Sequence, residues 1–167
     1  MKRLAVITAL VLAFALPSRA QLTLRDALGV LDRESAVECS YSLVSRGDFP
    51  MKTNGTAEIL GSCYHLVHDG LEDWCDGTTL WTVDASAKEV LVSPAGPSIL
   101  SRIEEEIESI KSLNYDGKNL SCNLSNPAKG IDIDFKATGI RTSPAKREHF
   151  VFNTSALDRS WIVTDLR

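Results

Sequence analysis

The sequence predicts an α+β domain: a curved antiparallel sheet, an incomplete β-barrel, with helices covering its concave face. Three observations predict this class. Apolar residues recur with a period of two through most of the chain, which is the spacing of half-buried strands. Two stretches instead have the spacing of amphipathic helices. Gly, Pro and Asn separate these segments at short intervals, and many short strands with two helices favour a sheet with helices on one face.

Residues 1–20 have the pattern of a cleaved signal peptide. A positive start at Lys2 and Arg3 precedes an almost wholly apolar run, and 18–20 offers small residues to a signal peptidase. The apolar run is shorter than a membrane span, so we expect cleavage rather than a retained anchor. The mature chain, 21–167, then has the length of a single domain with one core.

The mature chain is acidic. Cleavage removes three basic residues, so 15 Lys and Arg remain beside 22 Asp and Glu, a net charge of −7. Such a balance provides no electrostatic footprint for nucleic acid or for anionic membrane surfaces. We therefore expect no nucleic-acid partner, and separately we expect a monomer.

Two helices are predicted. The first covers 22–31, where apolar residues recur at helical spacing. The second follows the Pro-rich stretch 93–97, with Ser98 as its N-cap. Acidic residues occupy one side of this second helix. Its apolar side carries Ile99, Leu100, Ile103, Ile107 and Ile110.

Strands are predicted between and after the helices. The first begins near residue 36, where apolar and polar residues alternate. Asp76-Gly77 and 84–88 have turn compositions, so the segments that flank 84–88 predict an antiparallel hairpin. The predicted strands after the first are 55–67, 71–76, 79–84 and 88–93, followed by alternating runs at 120–124, 131–135, 150–152 and 161–163.

Four cysteines follow the cleavage site: Cys39, Cys63, Cys75 and Cys122. An even number in an exported chain allows two disulfides, with three possible pairings. A three-residue loop at 68–70 would place Cys63 opposite Cys75 and leave the other two as the second pair. A two-residue Asp69-Gly70 turn would shift the register by one and place Cys63 and Cys75 on opposite faces. No pair has the close spacing typical of zinc sites, so we expect no metal.

The sequence contains no catalytic motif that we recognise. It has no G-x-S-x-G elbow, no phosphate loop and no H-E-x-x-H. His65 and His68 are three residues apart on a predicted strand, so their side chains should face opposite sides. An enzyme would need clustered titratable groups, for which His65 and Asp73 are the candidates. We therefore expect neither an enzyme nor a cofactor.

One stretch resembles a known family. Residues 76–92, DGTTLWTVDASAKEVLV, are similar to the D-G-x-x-L-W-x-Y-D…K-E-V segment of LolA-type carriers, which ferry lipoproteins across the Gram-negative periplasm. Residues 60–66, LGSCYHL, fall where the family has R-P-x-x-F-x-W, and Tyr64 matches the Phe. The tail, 149–167, resembles the F-x-F…D-L-R ending of a LolA-like subgroup, whereas 113–148 matches poorly and is short.

The resemblance implies a periplasmic carrier that binds acyl chains of lipoproteins or other lipids in a hydrophobic cavity. It would shuttle them from an inner-membrane donor towards an outer-membrane acceptor. Leu60-Gly61 replaces the family's Arg-Pro pair, whose Arg is tied to opening and closing of the cavity, so release would differ. The implied lining, which would equally fill a closed core, is Tyr41, Tyr64, Leu66, Trp74, Trp81, Ile99, Leu100, Ile103 and Ile107. The alternative is an envelope lipid-sensing or protein-interaction module on the same half-barrel fold.

Overall fold

The computed structural model describes residues 35–46, 50–96 and 107–167. Within these ranges the chain forms ten strands and three short 3-10 helices, and no α-helix. The strands are β1 Ser35–Ser45, β2 Met51–Leu60, β3 Cys63–His68, β4 Leu71–Cys75, β5 Thr79–Asp84, β6 Glu89–Pro94, β7 Ser109–Tyr115, β8 Leu120–Asn126, β9 Ile131–Pro144 and β10 Ile162–Asp165. The 3-10 helices are Pro127–Lys129, Arg147–Phe150 and Thr154–Ala156.

All ten strands belong to one sheet, in the order β10-β6-β5-β4-β3-β2-β1-β9-β8-β7. Neighbouring strands are antiparallel except β10 and β6, which are parallel. The described sheet is open, because β10 and β7 each have a neighbour on one side only. Strands β1 to β6 follow one another across the sheet in chain order, whereas β9 returns to pair with the other side of β1.

The predicted α+β class is wrong for the described residues, which form a mixed and almost wholly β structure with no helix on a face. The second predicted helix fails at its C-terminal end, because Ile110 belongs to β7 and pairs with Leu124 of β8. Pairing with β8 supplies the backbone hydrogen bonds, and β-branched isoleucine suits a strand. Residues 1–20, 22–31 and 97–106 lie outside the described ranges.

The β3–β4 hairpin has the two-residue turn. Asp69 and Gly70 both have positive φ, 49° and 81°, as a type I′ turn requires. Tyr64 therefore pairs with Cys75, and the predicted pairing of Cys63 with Cys75 through a three-residue loop is wrong. The β5–β6 hairpin, in contrast, confirms the prediction, with Asp84 paired to Glu89 across a turn at 85–88.

Alternation along the strands separates two faces, which we name after their aromatic residues. The tyrosine face is the one that carries Tyr41 and Tyr64, and it holds the largest buried cluster. The tryptophan face carries Trp74 and Trp81. It packs against the C-terminal segment, residues 145–161, which contributes Phe150, Phe152, Leu157 and Trp161.

Candidate functional site

The tyrosine face brings together part of the predicted lining. Tyr41 of β1 and Tyr64 and Leu66 of β3 belong to one cluster, with 3%, 8% and 1% of their surfaces exposed. Ile107 joins the same cluster from the segment before β7, although not from a helix. Ile99, Leu100 and Ile103 lie outside the described residues.

Trp74 and Trp81 lie on the opposite face, where they pair directly across β4 and β5. A register that differs by one residue moves every side chain of a strand to the other face. The two-residue turn at Asp69-Gly70 therefore separates Trp74 from Tyr64 and Leu66, which the three-residue loop would have placed beside it. The prediction that these three residues share one face is wrong.

Around these residues the tyrosine face is apolar across five neighbouring strands, from β3 through β2, β1 and β9 to β8. Leu43 and Phe135 are cross-strand partners at its centre, and Cys122 pairs with Phe135 on the far side. The most deeply buried side chains of this apolar surface are Leu43, Ile59, Leu66, Leu124 and Phe135.

A buried polar group interrupts the apolar surface at β3 to β5. Asp73, which is 1% exposed, accepts a hydrogen bond from the Thr82 hydroxyl at 2.6 Å. Its second carboxylate oxygen lies 3.1 Å from Nε2 of His68, which is also buried. A buried carboxylate is stable only with such partners, so His68, Asp73 and Thr82 form a satisfied polar unit.

Tyr41 lies across Gly55 of β2, its cross-strand partner. A Cβ built on Gly55 would be 3.0 Å from the Tyr41 hydroxyl and 1.7 Å from the carbonyl oxygen of Val67. Gly55 therefore leaves the space that the tyrosine ring occupies, an arrangement known from other sheets in which an aromatic side chain covers a cross-strand glycine. The hydroxyl is consequently held above β2, on the side of β1 that faces His68.

Two buried hydroxyls on this face have no hydrogen-bond partner among the described residues: those of Tyr41 and Thr53. Thr53 is 1% exposed and lies two positions before Gly55 on the same face of β2. Burial, with smaller effects of Asp69 and Asp73, raises the pKa of Tyr41 far above its usual range, so the phenol stays neutral.

The sequence alone did not point to this polar group. Four polar residues stand at strand positions where the alternation calls for apolar ones, and this interruption is the signal that the sequence offers. They are Thr53, His68, Asp73 and Thr82. His65 and Asp73, the pair considered for an enzyme, lie on opposite faces, since His65 pairs with Trp74 and Asp73 with Leu66.

A polar ladder crosses the tryptophan face. The ladder consists of successive cross-strand partners from β9 to β4, namely Arg141, Glu38, Glu58, His65 and Trp74. The His65 ring stacks on Trp74 with centroids 3.6 Å apart. Glu38 forms an ion pair with Arg141, and hydrogen bonds from Ser143 and Arg141 lower the pKa of Glu38.

A cavity of about 440 Å³ opens over this ladder. Its lining includes Glu38, Glu58, His65 and Arg141, so it is polar and charged. Glu58 lies 3.2 Å from His149 Nε2, a contact that attaches the C-terminal segment at the edge of the ladder. The cavity is therefore unlike an acyl-chain site.

All four cysteine thiols are free and buried in this structure, so neither expected disulfide is present. Burial raises the pKa of Cys39 and of Cys122 to about 12, and it also raises the pKa of Cys63 and Cys75. Protonated thiols of this kind are poor nucleophiles and poor metal ligands. Among the described residues, no group of three or more His, Cys, Asp or Glu side chains is placed to hold a metal.

No protein family and no curated protein matches the chain. A solved structure of an uncharacterized conserved protein from Thermus thermophilus is similar over 80% of this chain and 92% of its own, with a TM-score of 0.49 and 6% identity. Within the described ranges, no helix has the length and apolar character needed to cross a membrane.

Proposed function

We propose that this protein is an exported periplasmic carrier that binds acyl chains of lipoproteins or other lipids, in the manner of LolA-type carriers. The observation that carries the proposal is the tyrosine face, a buried apolar layer that continues across five strands of an open sheet and would have to open to admit an acyl chain. The resemblance of residues 76–92 to the LolA segment also supports the proposal. Those residues include the β5–β6 hairpin.

The energetics of lipid transfer define what such a carrier must offer. Each CH₂ removed from water contributes about 0.8 kcal/mol, so an acyl chain of ordinary length requires on the order of 10 kcal/mol of apolar contact. Leu43, Leu66 and Phe135 belong to a single apolar surface of the required kind. The carrier would receive its cargo from an inner-membrane donor and deliver it to an outer-membrane acceptor.

Uptake of a fluorescent fatty acid tests the proposal. Leu66→Glu introduces a charge on the β3 part of the tyrosine face, opposite Asp73, and should abolish uptake, because an unpaired buried carboxylate is costly. Leu113→Glu is the matched control, since Leu113 is 41% exposed on β7, and it should take up the probe like the wild type. Uptake by a folded Leu66→Glu protein would contradict the proposal.

Native mass spectrometry of the wild-type protein from the periplasm provides a second measurement that does not depend on the folding of a variant. The proposal expects a co-purified acylated ligand. A wild-type protein that carries no ligand and refuses the fluorescent probe would overturn the proposal.

A second candidate function is an envelope lipid sensor or protein-interaction module. The observation that favours it is β10, a four-residue edge strand whose residues are all exposed. Ile162 and Val163 on this strand are 59% and 45% exposed, and an edge strand with apolar side chains can pair with a strand of another protein. Crosslinking from β10 to a partner, in a protein without bound lipid, would favour this alternative.

A further inference from the structure

We propose that the Tyr41 and Thr53 hydroxyls bind the neutral carbonyl linkage, ester or amide, that joins an acyl chain to its headgroup. This inference rests on the proposed carrier function and names the part of the cargo that the tyrosine face would recognise. It depends on two buried hydroxyls that have no hydrogen-bond partner among the described residues.

The first step concerns the cost of such hydroxyls. A buried polar group without a partner is unfavourable, and native proteins rarely retain one unless a ligand, a water or a functional role accounts for it. Tyr41 and Thr53 are 3% and 1% exposed, so bulk water does not satisfy them. Two such groups on the same face of neighbouring strands therefore point to a bound polar group.

The second step concerns position. The Tyr41 hydroxyl lies above Gly55, and Thr53 is two residues away on the same strand, about 7 Å along β2. Leu43 pairs with Thr53, and Ala137 pairs with Tyr41 on the other side of β1. The hydroxyls therefore lie beside apolar side chains of the tyrosine face, where the last carbons of a bound acyl chain would meet its linkage.

The third step concerns charge. The nearby ionisable groups include Asp69 and Asp73, both of which raise the pKa of Tyr41, and the imidazole of His68 is held by Asp73. A phosphate or an ionised carboxylate would bind more weakly than a neutral linkage, because these carboxylates disfavour a second negative charge nearby. A neutral ester or amide linkage carries no charge and can accept a hydrogen bond from either hydroxyl.

Competition against a fluorescent acyl probe near neutral pH tests this inference. The competitors share one chain length: monooleoylglycerol as the neutral ester, oleate as the ionised acid, and 1-octadecene as the hydrocarbon. We expect the wild-type protein to prefer the ester over both others. Tyr41→Phe should weaken ester binding about 5- to 10-fold and leave 1-octadecene binding unchanged, because only the hydrogen bond is removed.

Stability distinguishes recognition from a structural role. Tyr41→Phe keeps the ring above Gly55 and removes a hydroxyl without a partner, so thermal stability of the ligand-free protein should be unchanged or higher. A structural hydroxyl would instead lower stability. Tyr115→Phe is the matched control, because Tyr115 also packs against the tyrosine-face cluster but its hydroxyl donates to the Gly117 carbonyl at 3.0 Å, and ester binding should not change.

The outcomes separate this inference from the carrier function. Thr53→Val should weaken ester binding in the same direction as Tyr41→Phe. If both variants bind the ester like the wild type, or if oleate binds the wild type as tightly as the ester, the inference is wrong although the carrier function stands. A wild-type protein that binds none of the three competitors overturns the carrier function and this inference together.

Discussion

The tryptophan face and the tyrosine face are both buried, but the chain completes them differently. On the tryptophan face, Phe152 and Trp161 of the C-terminal segment pack on Trp81, and Lys88 donates to the Ser160 hydroxyl at 2.8 Å. On the tyrosine face, the Tyr41 and Thr53 hydroxyls are buried without partners among the described residues. The difference teaches that the C-terminal segment completes one face by apolar packing, whereas the other face retains buried hydrogen-bonding groups that no described residue uses.

The largest expected effect tests the closure of the tryptophan face. Phe150 is fully buried against Ala36 and Cys63, so Phe150→Ala should lower the free energy of unfolding by about 3–5 kcal/mol. Val151→Ala is the matched control, because Val151 is 45% exposed, and it should cost less than about 0.5 kcal/mol. Urea denaturation measures both.

Hydrogen exchange of Phe150→Ala then separates the two faces. If the C-terminal segment opens as a local unit, amides of 151–165 should lose protection before those of β8 and β9. If amide protection falls uniformly across the sheet, the C-terminal segment does not open as a local unit, and packing on the tryptophan face is not independent of packing on the tyrosine face.

The next effect compares hydroxyls within the tyrosine face. Thr82→Val removes the donor to Asp73 and leaves a buried carboxylate oxygen without that partner, so the free energy of unfolding should fall by about 1.5–3 kcal/mol. Thr53→Val is the same substitution at a hydroxyl without a partner among the described residues, and it should leave stability unchanged or raise it. Equal losses for the two variants would show that the Thr53 hydroxyl has a structural role.

Part of the strand pattern could be predicted from the sequence, whereas the class could not. The predicted strand 55–67 is divided between β2 and β3, and the predicted strand 150–152 does not form. Alternation with a period of two and turn residues at 76–77 and 84–88 predicted the β5–β6 hairpin, because both signals are local. The residues around the start of β7 gave a wrong helix prediction, because Ile107 and Ile110 also fit helical spacing. Its strand conformation depends on pairing with β8, a contact that local periodicity does not encode.

The prediction of which residues line the tyrosine face depended on the length of one turn, at 68–70. Tyr41, Tyr64 and Leu66 lie on one face as expected, because their own strands alternate regularly. Trp74 was assigned to that face through the loop length at 68–70, and a difference of one residue reversed it. The burial of His68 and Asp73 and their contact with each other were missed, because polar residues on strands are usually exposed and only the three-dimensional pairing reveals that these two satisfy each other.

The smallest effect is an acid-sensitive attachment of the C-terminal segment to the tryptophan side of the sheet. Asp76 sits in the turn between β4 and β5, and Arg147 Nη2 lies 3.7 Å from its carboxylate. Burial alone would raise the pKa of Asp76, but hydrogen bonds from Thr79 and Thr78, with Arg147, lower it below its usual value. A lowered folded-state pKa stabilises the protein above the pKa of the unfolded chain, and that contribution is lost as pH falls.

Stability should therefore decline below about pH 4, and Asp76→Asn should remove about 1 kcal/mol at neutral pH while flattening this decline. Thermal melts from neutral to acidic pH measure the effect. Asp158→Asn is the control, because Asp158 accepts its hydrogen bonds from Ser160 within the C-terminal segment and does not join that segment to the β4–β5 turn. Hydrogen exchange should show that acid loosens residues 147–150 in the wild type while β1 and β9, in the middle of the sheet, stay protected. Equal loosening of both regions would mean that Asp76 stabilises the sheet as a whole rather than the attachment of one segment.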